Sequence, residues 1–218
     1  MLPPATRSRF QAHGSRLLSV VLGPLATGLG LAAGSRLLTE WADPEAFGEY
    51  KLTLGVVALF SGLFVRPFLQ YVMRGYHDAL EQGRHLAFLA YARDVLVRIC
   101  GLLALLVAGS LCVYGTLTGQ VGLVAAGAGG ALICFHAGVN FQFSVLTTQN
   151  RQIAANLLRP AWACGIPLAT GLAALLLGQS GGYMALGELA LSAVIVAIGS
   201  RVLRANADPC REAAADQA

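Results

Sequence analysis

Few side chains here can do chemistry, and most of them stand inside stretches too apolar to face water. Arg66 is the clearest case: it lies well inside an apolar run and is followed by Pro67. An ionisable group in hydrocarbon costs a few kcal/mol or more, so it needs a partner, a watery cavity or a route to the interface. Pro67 removes one backbone bond and can bend a helix around a cavity, which suits an anion-binding arginine facing the bundle interior. The competing reading is a guanidinium that snorkels to the headgroups about two turns away, or pairs with a backbone carbonyl.

His136, Asn140 and Ser144 recur every four residues, which places them on one stripe of a helix, with Gln142 on another face and Thr147 near the end. Such a stripe either lines a hydrophilic path or hydrogen-bonds to neighbouring helices. Glu188 stands about one turn inside the last apolar run, where it either takes up a proton during transport or faces the outer interface, the second being preferred.

Soluble-enzyme chemistry leaves no trace. There is no zinc-type His/Glu set, no Gly-rich phosphate loop ending in Lys-Ser/Thr and no Gly-x-Ser-x-Gly elbow, so the chain is read as a non-enzyme without metal or cofactor. Cys100, Cys112, Cys134, Cys164 and Cys210 are scattered and odd in number, and read as small apolar side chains. The net charge of +4 comes from basic residues that flank apolar segments, which signals membrane topology and not nucleic-acid binding.

The elements that must position these groups follow from composition. Of 218 residues, 56% are hydrophobic and 12% charged, against roughly 25% charged in a soluble domain. The apolar mass is Leu, Ala, Val and Gly in long runs, which predicts an all-α integral membrane protein. A spanning helix needs about 20 mainly apolar residues, and stretches near 17–38, 50–73, 97–118, 121–146, 158–178 and 183–203 meet that length. Residues 1–16 form a basic leading segment, and the first span reads as a retained anchor because its run is too long for a secretory signal. Residues 75–96 mix His77, Asp78, Glu81, Arg84 and Arg93 with Leu80, Leu86 and Phe88, the pattern of an amphipathic interfacial helix. The third and fourth spans meet in a tight turn at Gly119, and the polar tail over 204–218 is expected to be disordered. Ala26-x-x-x-Gly30-x-x-x-Gly34 and Ala126-x-x-x-Gly130 read as helix-packing faces.

Lys and Arg set the orientation. With the N-terminus inside, Arg7, Arg9, Arg16, Arg74, Arg84, Arg93, Arg98, Arg151, Arg159, Arg201, Arg204 and Arg211 fall at or near the cytoplasmic side. The opposite side receives Arg36 and Lys51 beside Glu40, Asp43, Glu45 and Glu49. Both ends are therefore expected in the cytoplasm.

Residues 34–50, running from Gly34-Ser35-Arg36-Leu37-Leu38 through Pro44-Glu45-Ala46-Phe47-Gly48-Glu49-Tyr50, resemble the end of helix one and the next loop in polysaccharide (oligosaccharide) flippases of the multidrug/oligosaccharidyl-lipid/polysaccharide superfamily. Arg66-Pro67-Phe68-Leu69-Gln70 and Arg74-Gly75-Tyr76 are similar to that family's stretch at the end of helix two, and Gly83 to its cytoplasmic connection. Leu146 to Gln152 is similar to its polar turn between helices four and five.

The resemblance implies one lobe of a twelve- to fourteen-helix flippase that exports a polyprenyl-diphosphate-linked glycan across the bacterial inner membrane. Arg66, Arg74 and Arg36 would attract its phosphates, with Gln70, His136, Asn140 and Ser144 along its path. One lobe has nothing to rock against, so a homodimer or a second six-helix lobe is the expected partner, beside membrane lipids. The alternatives are a non-transporting scaffold or remnant of a polysaccharide-export system, or a small-molecule exporter of the same superfamily.

Overall fold

Backbone N–H and C=O groups find no water inside a bilayer, so apolar runs of this length must satisfy them within a helix. The computed structural model describes residues 4–149 and 151–205, with side chains described for 22–149, 151 and 153–203. Over the described residues the chain is all-helical. Six helices follow one another: α1 (Pro4–Trp41), α2 (Pro44–Glu81), α3 (His85–Thr118), α4 (Leu123–Thr148), α5 (Gln152–Leu177) and α6 (Gly181–Ala205). Five of them, α2 to α6, are long and apolar enough over the described residues to cross a bilayer, which marks a multi-pass membrane protein. α1 is helical across the whole of the expected first span. The tail from 206 onward and the side chains of Arg7, Arg9, Arg16, Arg204 and Arg211 lie outside the described residues.

The separate interfacial helix expected over 75–96 does not exist. α2 runs on to Glu81, the chain reverses over Gln82, Gly83 and Arg84, and α3 begins at His85. Gly83 makes the reversal possible with φ +67. Arg84 N–H donates to the Ala79 carbonyl at 2.8 Å and Gly83 N–H to that of Leu80 at 3.0 Å, the bonding of a Schellman cap. The amphipathic pattern belongs to two antiparallel helix ends whose apolar sides meet: the Tyr71 and Phe88 rings lie 6.5 Å apart.

Pro67 acts as expected on the backbone, but through one wide turn. Ser61–Val65 is a π-helical segment in which Arg66 N–H donates to the Ser61 carbonyl, five residues back. This extra residue per turn makes room for the proline ring just after it. Gly119, with φ +70, closes α3 as the tight turn requires.

α4 is the hub, packed against α2, α3 and α6, while α1 packs chiefly on α5. The small-residue faces are where helices come closest. A side chain at Gly30 or Gly34 would run into Cys164 or Pro167 of α5, and one at Gly130 would stand 2.8 Å from the Ala104 carbonyl of α3. The four described cysteines are free thiols.

The turns α1–α2, α3–α4 and α5–α6 gather at one end. Asp43 N–H donates to Gln179 Oε1 at 3.2 Å, and Gly122 N–H to Glu49 Oε1 at 2.8 Å. This end carries Glu40, Asp43, Glu45 and Glu49, whereas the turn between α2 and α3 holds Arg84 and the one between α4 and α5 holds Arg151.

Candidate functional site

α6 starts close against both α2 and α4 because its first residues lack side chains. A Cβ on Gly181 would stand 2.5 Å from the Tyr50 amide nitrogen, and one on Gly182 2.9 Å from that of Ala125. The helices therefore converge, and two turns into α6 Glu188 points inward, only 2% exposed.

Two side chains hold its carboxyl group. Tyr50 of α2, 1% exposed, donates its hydroxyl proton to Oε2 at 2.5 Å. His136 of α4 places Nε2 2.9 Å from Oε1, with its side chain 16% exposed. The contact continues into α5: the Trp162 ring meets His136 edge-on at 5.2 Å, and its Nε1–H donates at 3.1 Å to the hydroxyl of buried Ser192, one turn beyond Glu188. Four helices thus share one polar network inside the bundle.

Proton bookkeeping gives this network its chemistry. An ionised carboxylate only accepts hydrogen bonds, and Tyr50 O–H and His136 Nε2–H supply one donor per oxygen. With one further proton the His136–Glu188 pair is neutral overall, as two uncharged groups or as an ion pair. Without it the site holds one buried negative charge.

Toward the acidic end lies a cleft of about 670 Å³ lined by Asp43, Glu45, Glu49, Gln120 and Gln179 among others. The Glu49 carboxylate there is a structural tie, since it accepts from Gly122 N–H and, at 3.4 Å, from the Ser180 hydroxyl. A second cavity of about 510 Å³ runs between α3, α4 and α6, with Arg93, Phe141, Gln142 and Ser200 on its walls. Among the described residues no three His, Cys, Asp or Glu side chains are grouped so as to hold a metal ion.

The expected site residues divide sharply. His136 and Glu188 come together, although the spacing of residues had favoured an interfacial Glu188. Burial overturns that preference, because α2 and α4 close over the carboxylate. Asn140 bonds back to its own helix, Nδ2 to the His136 carbonyl at 2.8 Å, and Ser144 is half-buried one turn further on. Gln142, on the other face, makes the link across helices: Nε2 donates to the Val196 carbonyl at 2.8 Å and lies 2.9 Å from the Ser200 hydroxyl.

Arg66 does not face the interior of this bundle. Arg66, Gln70 and Arg74 are all exposed on one face of α2, while Leu69, Val72 and Tyr76 of the same helix are buried. None of the side chains of Arg66, Gln70 and Arg74 makes a hydrogen bond or ion pair with a described residue. Arg36 is not with them. It pairs with Glu40 at 3.3 Å on α1, near the acidic end, roughly 25 Å along the bundle from Arg66 at 1.5 Å per residue.

No family model, curated protein or solved structure matches this chain. Its own geometry is therefore the guide to what it does.

Tyr50, Trp162 and Ser192 were missed by sequence reasoning as members of the site. A signal existed for two of them: a tyrosine hydroxyl or tryptophan N–H inside a spanning helix must find a partner. What it could not say is which helix supplies one.

Proposed function

We propose that this chain is a membrane transporter lobe of the flippase type, which moves a polyprenyl-diphosphate-linked glycan from the inner to the outer leaflet of a bacterial cytoplasmic membrane. The observation that carries the reading is the Arg66–Gln70–Arg74 stripe, exposed on a membrane helix and unpaired among the described residues. Lipid tails cannot satisfy guanidinium groups. Residues four apart on a helix stand about 6 Å from one another, so two arginines flanking a glutamine offer a ladder of donors suited to linked phosphates.

A stripe that no described residue covers also suits a lobe with a partner, because transport sites form between two repeats. A second six-helix lobe or a second copy, related by a two-fold axis along the membrane normal, would enclose it. The positive-inside tendency favours a cytoplasmic side for the Arg84 and Arg151 turns. The arginine stripe then lies where the substrate enters.

Reconstitution of the chain in liposomes carrying a lipid-linked glycan tests the reading. The wild-type protein is expected to move the glycan, and Arg66→Ala with Arg74→Ala to slow it by at least tenfold, a loss of about 1.4 kcal/mol. A wild-type rate equal to that of empty liposomes would exclude transport by this chain alone and favour a scaffold that needs another lobe.

A further inference from the structure

We propose that Tyr50, Glu188 and His136 form a binding site for one exchangeable proton, and that this proton is the ion that drives the transporter. The second half rests on the transport reading above; the first does not.

The site is built for a proton and not for a metal cation. Both carboxyl oxygens of Glu188 face donors, His136 Nε2 at 2.9 Å and the Tyr50 hydroxyl at 2.5 Å. The nearby Ser192 hydroxyl is taken by Trp162 Nε1–H at 3.1 Å. A hard cation would need several converging oxygens, and among the described residues Tyr50 supplies the one oxygen hydrogen-bonded to the carboxylate. A proton needs one lone pair, and Glu188 and His136 can each supply it.

From α2, Lys51 holds its ammonium 5.7 Å from the Tyr50 ring centroid, and neighbouring Glu49 is occupied by Gly122 and Ser180. From α4 only His136 reaches the carboxylate. From α5, Trp162 contacts His136, while Arg159 sits over Phe143, 5.3 Å from its centroid. Binding one proton makes the His136–Glu188 pair neutral, and releasing it leaves a single negative charge on two donors.

That charge is costly in a closed apolar interior. Release therefore favours an arrangement in which water reaches the group. His136, the one member with an open edge, is the route in and out. The Tyr50–Glu188 bond also joins α2 to α6 across the core, so the proton sets how firmly those helices hold together. A two-state element biased by one bound ion is what coupling requires.

Infrared difference spectra of the full chain in liposomes, taken between acidic and neutral pH, read the proton directly. Among the protonated-carboxyl C=O bands that appear on acidification, one component should be missing in Glu188→Gln and shift in both Tyr50→Phe and His136→Gln, with size-exclusion profiles showing all variants folded. A spectrum unchanged in folded Glu188→Gln overturns the proton site, as does a band that neither partner variant moves.

The coupling is read separately, from glycan movement under an imposed pH gradient. The gradient should change the wild-type rate about tenfold and leave Glu188→Gln unmoved. Wild-type movement indifferent to the gradient overturns the coupling and keeps the transport reading. Absence of movement with the band intact removes the transport reading and the coupling, and leaves the proton site standing.

Discussion

The two halves of α2 treat their polar side chains in opposite ways. Near its start Tyr50 is buried and gives its proton to a buried carboxylate on another helix. Beyond the wide turn at Ser61–Val65, the side chains of Arg66, Gln70 and Arg74 are exposed and bond to nothing among the described residues. One half belongs to a bundle complete around it, whereas the other presents a face the bundle leaves open. A closed polar network stabilises and can store a proton; an open cationic stripe adds little to stability and is free to hold a ligand.

The largest effect should come from emptying the closed site. Glu188→Ala leaves both Tyr50 and His136 without their partner, and each buried polar group left unsatisfied costs roughly 1–3 kcal/mol. Titration of folded protein with a denaturing detergent would show it as a large drop in midpoint. An unchanged midpoint would mean that the network is open to water and that the contrast within α2 is false.

Tyr50→Phe keeps the ring and removes one donor, so it should cost about 1–3 kcal/mol on the same scale. Gln142→Leu, which gives up a bond between α4 and α6 outside the carboxylate cluster, should cost about 0.6 kcal/mol, the average for such bonds in membranes. If it matched Tyr50→Phe, the cluster would hold no privileged place in the bundle.

Arg66→Ala or Arg74→Ala should move stability by no more than about 0.5 kcal/mol, as exposed substitutions do, while slowing glycan movement. A marked loss of fold in either would show that the stripe is covered by a partner in the membrane, and crosslinking between copies would then locate it.

Much of this architecture was legible in the residues. Hydrocarbon makes length and polarity decisive, so six apolar runs foretold the six helices, and the small-residue faces at Gly30, Gly34 and Gly130 foretold where helices come together. The stretch 75–96 misled because two antiparallel helix ends share the amphipathic pattern of one. Only the φ +67 residue, Gly83, separated the readings, and a glycine by itself does not say which conformation it adopts.

The candidate site was half visible. A charged or polar residue inside a span stands out, so Arg66, His136 and Glu188 were found by type. Periodicity then assigns residues to faces of a helix, but it does not say what each face meets. The tertiary structure alone turned Glu188 inward onto Tyr50 and His136 and left Arg66 outward, because burial of a side chain depends on helices far away in sequence that close over it. Local chemistry marked the polar groups; the meeting of α2, α4 and α6 decided which became a site.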